Sequence, residues 1–218
     1  MLKNVTTTDD SGSLFYQEKE AFSGIHKIAR KVMGDVELVF GYAPQATTDR
    51  KKLGKHAVLY GTLDHSPMLL ELEEKKLIDL SEVKGKREVY LFQVIDHPFE
   101  EVEKALVIAG SDKRGTIYGL FHLSELLGVS PLVDWCDVKP KRKESFFLSG
   151  DLKYLSKEPS VRYRGFFIND EWPAFGNWTT KNFGGFNAEM YDHVFELLLR
   201  LKGNYLWPAM WSARFSED

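Results

Sequence analysis

A strand–helix–strand pattern near the end of the sequence constrains the fold most strongly. Two apolar runs, RGFFIND (164–170) and NYLWPAMW (204–211), enclose a helical segment, NAEMYDHVFELLLRLKG (187–203). The apolar residues of this segment fall on one helical face: Met190, Val194, Leu197, Leu198 and Leu201. Asn187 is placed as the N-cap, and Gly203 is placed at C′, the position after the C-cap that favours the left-handed conformation. The pattern therefore predicts a βαβ unit with parallel strands and a right-handed crossover.

One helix cannot bury both faces of a parallel strand pair, so this unit predicts a larger fold. RGFFIND is apolar at consecutive positions, which is typical of a strand covered on both faces. An eight-stranded (β/α)8 barrel needs about 250 residues. We therefore expect residues 156–218 to be the start of a truncated TIM barrel, with the remaining units beyond residue 218.

The first 155 residues predict a small N-terminal α/β domain. Four β-rich apolar runs are separated by polar or glycine-containing turns: VELVFGY (36–42), AVLYGTL (57–63), EVYLFQVI (88–95) and ALVIAG (105–110). The expected domains are therefore residues 1–155 and 156–218, and the fold class is α/β.

Two helices are predicted beside these strands, at residues 19–33 and 112–128. The second would be capped by Ser111 or Asp112 and would end at Gly128. The segment that follows it contains three prolines and a basic run, and is interpreted as a connection with one or two short strands.

Composition argues against several classes of protein. The net charge is −3 with both signs interspersed, which favours neither nucleic acid nor a membrane as a partner. Neither 18 consecutive apolar residues nor a signal-peptide pattern occurs, so the chain as written is expected in the cytoplasm, or in the periplasm or secreted if a leader was removed. The single cysteine, Cys136, excludes an internal disulfide and a cysteine-cluster metal site.

Polar residues follow directly on the first strand of the βαβ unit. Asn169, Asp170 and Glu171 end the run RGFFIND and begin a 16-residue loop, 171–186, rich in aromatic residues and glycine. Ligands of α/β barrels bind at the carboxyl ends of the strands, and long ordered loops are usually functional. Residues 160–218 hold 14 of the 29 aromatic residues, which indicates a surface that stacks on a flat ligand.

A sugar would fit this arrangement, because its ring faces stack on indoles and its hydroxyls bind carboxylates and amides. Trp207 and Trp211, from the second strand, would lie at the same rim as the first strand tip. Glycoside hydrolysis usually uses two carboxyls about 5–9.5 Å apart. Adjacent residues of a strand point to opposite sides, so Asp170 and Glu171 are not expected to form that pair with each other.

Each of these features also has a purely structural interpretation. An Asp-Glu pair at a strand end can be a loop cap or a solvated pair, and both tryptophans can be core residues. His193 lies off the apolar stripe of its helix and has no metal-ligand spacing around it. AGSDKRGT, at residues 109–116, lacks the Lys-Thr/Ser pair of a phosphate loop and is interpreted as a strand-to-helix turn.

Four stretches together resemble glycoside hydrolase family 115, the xylan α-1,2-glucuronidases. They are IAGSDKRGTIYGLFHLSELLGVSPLVDW, RGFFINDEWPAFGNW, KNFGGFN and LRLKGNYLWPAMW, and the resemblance covers roughly residues 85–218. It implies a β-hexosaminidase-like N-terminal α/β domain followed by a (β/α)8 catalytic barrel. It also implies removal of (4-O-methyl-)glucuronic acid from xylan by inverting hydrolysis, without a metal or organic cofactor, often in homodimers.

The resemblance also implies roles for residues of this chain. Asp170 would belong to the uronic-acid pocket with Asn169 and Glu171 in support, and Trp207 and Trp211 would line the same pocket. The catalytic acid and base are expected beyond residue 218, so this chain is expected to be inactive alone. The expected partners are glucuronoxylan or aldouronic oligosaccharides.

Two other functions remain open from the sequence. The same aromatic residues could hold a glycan in a non-catalytic carbohydrate-binding or scaffolding module. A nucleotide-binding α/β domain has less support, because no phosphate-binding glycine loop with a suitable lysine or acidic partner follows a strand. Binding of glucuronic acid or an aldouronic oligosaccharide at these aromatic residues by the isolated chain would favour the binding module over the hydrolase. No such binding is expected, because an open barrel fragment leaves the pocket without most of its walls.

Overall fold

The structure is a computed structural model that describes residues 14–137, 139–208 and 214–216. The chain divides into two compact units. Within the described ranges, no helix combines the length and the apolar character that crossing a membrane requires.

The two units are not contiguous in sequence. The N-terminal unit comprises residues 1–130 and 138–159, and the C-terminal unit comprises residues 131–137 and 160–218. A six-stranded sheet belongs to the first unit and a two-stranded sheet to the second. The chain is therefore a mixed α/β protein, in which a short segment before residue 138 joins the C-terminal unit.

The sheet of the N-terminal unit is mixed rather than parallel throughout. Its strands are β1 (Leu14–Tyr16), β2 (Ala46–Thr47), β3 (His56–Thr62), β4 (Tyr90–Asp96), β5 (Lys104–Gly110) and β6 (Lys153–Leu155). The spatial order is β2-β1-β3-β5-β4-β6. The first four strands in this order are parallel, and β4 runs antiparallel to both β5 and β6.

Three helices pack on this sheet: α1 (Ser23–Phe40), α2 (Pro67–Glu74) and α3 (Lys113–Leu127). Helices α1 and α3 contact each other, and α3 also packs on the central strands. Helix α2 buries Met68, Leu69 and Leu72 in a core with alternate residues of β3, β4 and β5. The Ser66 hydroxyl caps α2 by accepting a hydrogen bond from the Leu69 N–H at 3.2 Å.

Most of the predicted elements of this unit are confirmed. Strands β3, β4 and β5 lie within one or two residues of the predicted runs, and β6 is a short strand of the predicted connection. Helix α3 is capped by Asp112, whose carboxylate accepts a hydrogen bond from the Gly115 N–H at 2.8 Å, and it ends at Gly128 in the left-handed conformation. Strands β1 and β2 and helix α2 were not predicted.

The strand predicted at VELVFGY (36–42) is wrong, because these residues form the second half of α1. Their apolar positions continue the helical stripe of Ile25, Ile28 and Val32 through Val36 and Val39, all buried. Gly34 does not interrupt the helix. The helix ends where Gly41 takes a φ of +86° and donates its N–H to the Glu37 carbonyl at 2.8 Å.

The C-terminal unit contains the predicted strand–helix–strand pattern. Its elements are β7 (Gly165–Ile168), α4 (Ala174–Phe183), α5 (Ala188–Arg200) and β8 (Tyr205–Pro208). Strands β7 and β8 pair in parallel, as predicted. Helix α5 is capped by Asn187, whose side-chain oxygen accepts the Met190 N–H at 3.0 Å, which confirms the predicted N-cap.

Three predictions for this unit are wrong. Residues 171–186 are not a loop without secondary structure, because α4 occupies most of them. The residue in the left-handed conformation after α5 is Lys202, with a φ of +57°, and not Gly203. Strand β7 is covered on one face only: Phe166 and Ile168 pack in the core of the unit, whereas Phe167 is 54% exposed.

Candidate functional site

The amino-terminal ends of β7 and β8 are joined by backbone and side-chain hydrogen bonds. The Arg164 N–H donates to the Asn204 side-chain oxygen at 2.9 Å, and the Asn204 N–H donates to the Arg164 carbonyl at 2.7 Å. A Cβ atom at Gly165 would lie 1.5 Å from the Tyr205 carbonyl oxygen, so only glycine fits this close approach. These contacts fix the register, and the two carboxyl ends meet at Ile168 and Pro208.

The three polar residues after β7 lie in different environments. Asp170 is 1% exposed, whereas Asn169 and Glu171 are exposed. Asp170 is buried and Glu171 is exposed because consecutive side chains of an extended segment point to opposite sides. Of the three residues, only Asp170 is therefore held inside the unit.

Trp207 lies on the exposed face of the strand pair. It is 63% exposed and packs edge-on against Phe167, with ring centroids 5.7 Å apart. The two residues are register partners on β8 and β7. Trp211 lies outside the described residues. The structure therefore brings Trp207 together with Phe167, on the strand face opposite the core residues Phe166 and Ile168.

The covered side of the C-terminal unit is built from aromatic rings. Its aromatic cluster comprises Trp135, Phe175, Trp178, Phe183 and Phe186, all of which pack around α5 residues of the core. The Trp178 ring stacks on Trp135 at 5.0 Å and on Phe175 at 5.7 Å between centroids. Phe186 meets Phe175 edge-on at 5.5 Å. The segment 131–137 and helix α4 thus share one stack of rings.

Helix α4 forms because its aromatic residues fall three apart and can stack on one face. The rings of Phe175 and Trp178 are nearly parallel, with an interplanar angle of 12°. The hydroxyls of Thr179 and Thr180 donate to the Gly176 carbonyl, at 3.0 and 2.8 Å. A Cβ at Gly176 would lie 2.3 Å from the Trp172 indole, so glycine lets this ring lie against the helix.

A cavity of about 300 Å³ opens beside the aromatic cluster. Its lining residues are Trp135, Phe166, Ile168, Asn169, Phe175, Val194 and Leu197. Asn169 is the one polar side chain of this lining. The wall of this cavity is therefore almost entirely apolar and aromatic, and it lies on the strand face that carries Phe166 and Ile168.

A second contact holds Trp135 in place. The neighbouring Asp134 carboxylate lies 3.2 Å from Nδ1 of His193 on α5, and the His193 ring packs on Phe183 at 5.2 Å. His193 therefore binds Asp134 at the surface of the unit. In the part of the chain that the structure describes, no three His, Cys, Asp or Glu side chains lie together as metal ligands would.

The sequence interpretation missed Trp135, Phe175 and Phe186 as parts of the site. Trp135 is far from β7 in sequence and lies in a segment interpreted as a connection. The density of aromatic residues in 171–186 indicated a ligand-facing loop, and the same density could have predicted a packed aromatic core. Of the residues predicted to bind ligand, Asn169 lines the cavity. The next residue, Asp170, is buried, and Glu171 is exposed.

Comparison with known proteins gives a family for this chain. The model of glycosyl hydrolase family 115 matches residues 156–218. A solved family 115 4-O-methyl-α-glucuronidase, with specificity for decorated arabinogalactans, superimposes with a TM-score of 0.78 and 33% identity over 94% of this chain. The chain spans 26% of the length of that enzyme. No curated protein matches the chain.

Two other solved structures are more distant. CpGH84D superimposes with a TM-score of 0.51 and 10% identity over 99% of this chain and 38% of its own, which concerns the fold alone. A Streptomyces plicatus β-hexosaminidase mutant in complex with GlcNAc gives a TM-score of 0.49 and 14% identity, over 95% of this chain and 32% of its own.

The family match and the high TM-score together place this chain among the glycoside hydrolases. The four sequence motifs indicated one family within that class, and the comparisons confirm it. The chain belongs to glycoside hydrolase family 115.

Proposed function

We propose that this chain is part of an α-glucuronidase that removes (4-O-methyl-)glucuronic acid side chains from xylan by inverting hydrolysis. The observation that supports this most directly is a buried carboxyl, Asp170, just after the carboxyl end of a strand in a parallel pair whose exposed face carries Phe167 and Trp207. The family, and the 4-O-methyl-α-glucuronidase activity of the solved relative, support the same sugar. Glucuronoxylan and aldouronic oligosaccharides are the proposed partners.

The polymer that carries the sugar has a second candidate. The solved relative, which is 33% identical to this chain, has specificity for decorated arabinogalactans. An arabinogalactan with terminal 4-O-methyl-glucuronic acid would present the same uronic acid on a different backbone. Both polymers therefore belong in the activity test.

In this proposal, β7, α5 and β8 are the first elements of a (β/α)8 barrel, and the domains are residues 1–155 and 156–218. The parallel pairing and the start of the family match at residue 156 support it. The exposed face of the strand pair, with Phe167 and Trp207, would be the inner face of the barrel. That location would explain why two large aromatic rings lie uncovered on a β-sheet.

Asp170 would bind the uronic acid, with Asn169 and Glu171 in support and Trp207 and Trp211 as stacking surfaces. The catalytic acid and base are proposed to lie on other strands of the barrel, outside residues 1–218. The 218-residue chain alone would then be inactive. We propose that the enzyme needs no metal or organic cofactor and works as a homodimer.

The test is the substitution Asp170→Asn in the full-length enzyme. We expect kcat/KM on glucuronoxylan and on arabinogalactan to fall by at least ~100-fold, because a contact to the transition state is lost. The matched control is Glu189→Gln, an exposed residue at the start of α5, which should keep wild-type activity. Thermal melts of both variants show whether the buried position still folds.

Two results would contradict this proposal. Wild-type kcat/KM in a folded Asp170→Asn enzyme would remove Asp170 from the uronic-acid pocket. Hydrolysis of either polymer by the 218-residue chain would show that the acid and base are present in this chain.

A non-catalytic carbohydrate-binding module is the second candidate, and the aromatic cavity is the observation that favours it. All five tryptophans belong to the C-terminal unit by sequence position, so their fluorescence reports on ligand there. Under the hydrolase proposal, aldouronic oligosaccharides should leave the tryptophan fluorescence of the 218-residue chain unchanged, because the pocket lacks most of its walls. A saturable change would favour the binding module.

A further inference from the structure

A polar cleft lies at one edge of the six-stranded sheet of the N-terminal unit. It has a volume of about 430 Å³ and is lined by Glu73, Lys76, Leu77, Ile78, Asp79, Gln93 and Lys153. These residues come from the end of α2, the segment that follows it, and the strands β4 and β6. We call this site the edge cleft.

Gln93 is a polar residue at a position of β4 whose neighbours on the same face are apolar. Its neighbours at alternate positions of β4, Leu91 and Ile95, are buried in the apolar core on the same face. The side-chain oxygen of Gln93 is buried and accepts no hydrogen bond from the described residues. An unpaired buried polar atom costs about 1–3 kcal/mol. An apolar residue at this position would avoid that cost.

Lys76 also occupies a position where another residue would be more stable. It follows α2 in the left-handed conformation, with a φ of +58°. Its N–H donates to the Glu73 carbonyl at 2.8 Å, and the Leu77 N–H donates to the Leu72 carbonyl at 3.0 Å. This is a Schellman motif, in which glycine is the favoured residue. The lysine therefore replaces the residue that would strain the backbone least.

The charges of the edge cleft leave two ammonium groups available. Lys153 is the cross-strand partner of Gln93. Neither Lys76 nor Lys153 forms a salt bridge within the described part of the chain. The Glu73 carboxylate is already bound by Lys84, with both oxygens 2.7 Å from its ammonium.

Asp79 is the remaining carboxylate of the cleft. Its oxygen accepts the Ser81 N–H at 2.9 Å. Hydrogen bonds from Ser81 lower the pKa of Asp79, and the charges of Lys153 and Lys84 lower it further, so Asp79 is an acceptor at neutral pH. The cleft thus offers two cations, one unpaired amide oxygen and one carboxylate. This set fits a ligand that carries both a carboxylate and hydroxyl groups.

We propose that the edge cleft binds the carboxylate of an acidic sugar, with glucuronic acid as the ligand. The ammonium groups of Lys76 and Lys153 bind the sugar carboxylate, and the Gln93 oxygen accepts a hydrogen bond from a sugar hydroxyl. The choice of glucuronic acid rests on the proposed function. A strong site requires charge-assisted hydrogen bonds, and both lysines can supply them.

The test is calorimetric titration of the 218-residue chain with sodium glucuronate, glucose and sodium acetate at constant ionic strength. We expect glucuronate to bind and the other two to bind at least about tenfold more weakly, because glucose lacks the charge and acetate lacks the hydroxyls. Glucose or acetate binding as tightly as glucuronate would overturn the proposal. So would the absence of glucuronate binding.

Substitutions show whether this ligand occupies the edge cleft. Lys153→Met should weaken glucuronate binding about tenfold. Gln93→Leu and Lys76→Gly should also weaken it, while both raise the melting temperature, because one removes an unpaired acceptor and the other relieves the backbone. Wild-type affinity in folded Lys153→Met and Lys76→Gly variants would overturn the assignment, even if Gln93→Leu failed to fold.

Two controls complete the experiment. Lys52→Met removes an exposed charge of the same unit outside the cleft and should leave binding unchanged. Lys202→Gly relieves the same left-handed conformation at the end of α5, so it should stabilise the C-terminal unit without changing the affinity. Loss of affinity in either control would contradict the assignment. The Asp170→Asn activity test uses other residues, so either proposal can fail while the other stands.

Discussion

The substitution Trp135→Ala tests whether the segment 131–137 holds the C-terminal unit together. The Trp135 ring stacks on Trp178 at 5.0 Å and contacts Phe175 at 6.3 Å between centroids. Two aromatic pairs contribute about 0.5–1.5 kcal/mol each beyond the burial of their area. Trp→Ala substitutions in cores cost about 3–5 kcal/mol in total. Because Trp135 is only partly buried, we expect a loss near the lower limit, about 3 kcal/mol.

The assay is urea denaturation of the 218-residue chain, followed by the fluorescence of the remaining tryptophans, which all belong to the C-terminal unit. The free energy of unfolding comes from linear extrapolation. Trp172→Ala is the matched control, since Trp172 is 52% exposed, lies against Gly176, and among the described rings meets Phe186 edge-on at 6.1 Å. It should cost less than about 1 kcal/mol.

Equal losses for Trp135→Ala and Trp172→Ala would refute this reasoning, because it assigns the difference to stacking and burial at Trp135 alone. A loss below about 0.5 kcal/mol at Trp135 would do the same, since such values are ordinary for surface substitutions. Trp135→Phe should recover part of the loss, because a smaller ring can still stack on Trp178.

Two further predictions concern the N-terminal unit. Tyr60 is fully buried, its hydroxyl has no hydrogen-bond partner among the described residues, and burial raises its pKa. Tyr60→Phe should therefore stabilise the unit by about 1 kcal/mol, or about 2–4 °C in a thermal melt followed by circular dichroism, and a loss of stability would contradict this. Burial alone would raise the pKa of Glu71, but hydrogen bonds from Lys75 and Arg50 outweigh it and lower the pKa below its usual 4.5. The wild type should thus be more stable than Glu71→Gln at pH 7. The difference should shrink as the pH falls below about 4.5 and the Glu71 carboxylate is protonated, which urea melts over a series of pH values would measure.

The elements that the sequence predicted correctly carry their own boundary signals. Helix α3 begins at an aspartate cap and ends at a glycine in the left-handed conformation, and α5 begins at an asparagine cap. Their stability depends on contacts within a few residues, which a sequence displays directly. Strands β3, β4 and β5 are seven residues long and mostly apolar, so the sequence displays their location directly as well.

The incorrect predictions concern segments whose structure depends on distant contacts or on a longer period. Residues 36–42 are rich in valine and phenylalanine, which favours a strand over a window of seven residues. Over the 18 residues of α1, however, the apolar positions follow a helical period, and packing on α3 outweighs local β propensity. Helix α4 contains glycine, asparagine and threonine, which are poor helix formers, and its aromatic stack involves Trp135 from a separate segment.

The candidate site could be predicted in part. The position of the polar residues at a strand end follows from the sequence pattern, and strand alternation separates Asp170 from Glu171. Which of the two is buried depends on what packs around them, and this is not visible in sequence. The contribution of Trp135 to the cavity was equally hidden, because the segment 131–137 packs with residues that follow it by more than thirty positions.

The two faces of the β7–β8 pair give the proposed barrel its physical argument. One face is covered by α5 and the aromatic cluster, and the other carries Phe167 and Trp207, each more than half exposed. Burial of apolar surface stabilises a fold by about 25 cal/mol per Å². The exposed surface of these two rings therefore gives the 218-residue chain no such stabilisation. In the proposed barrel, the other strands and the substrate would cover this face. The same residues would then stabilise the barrel and contact the sugar.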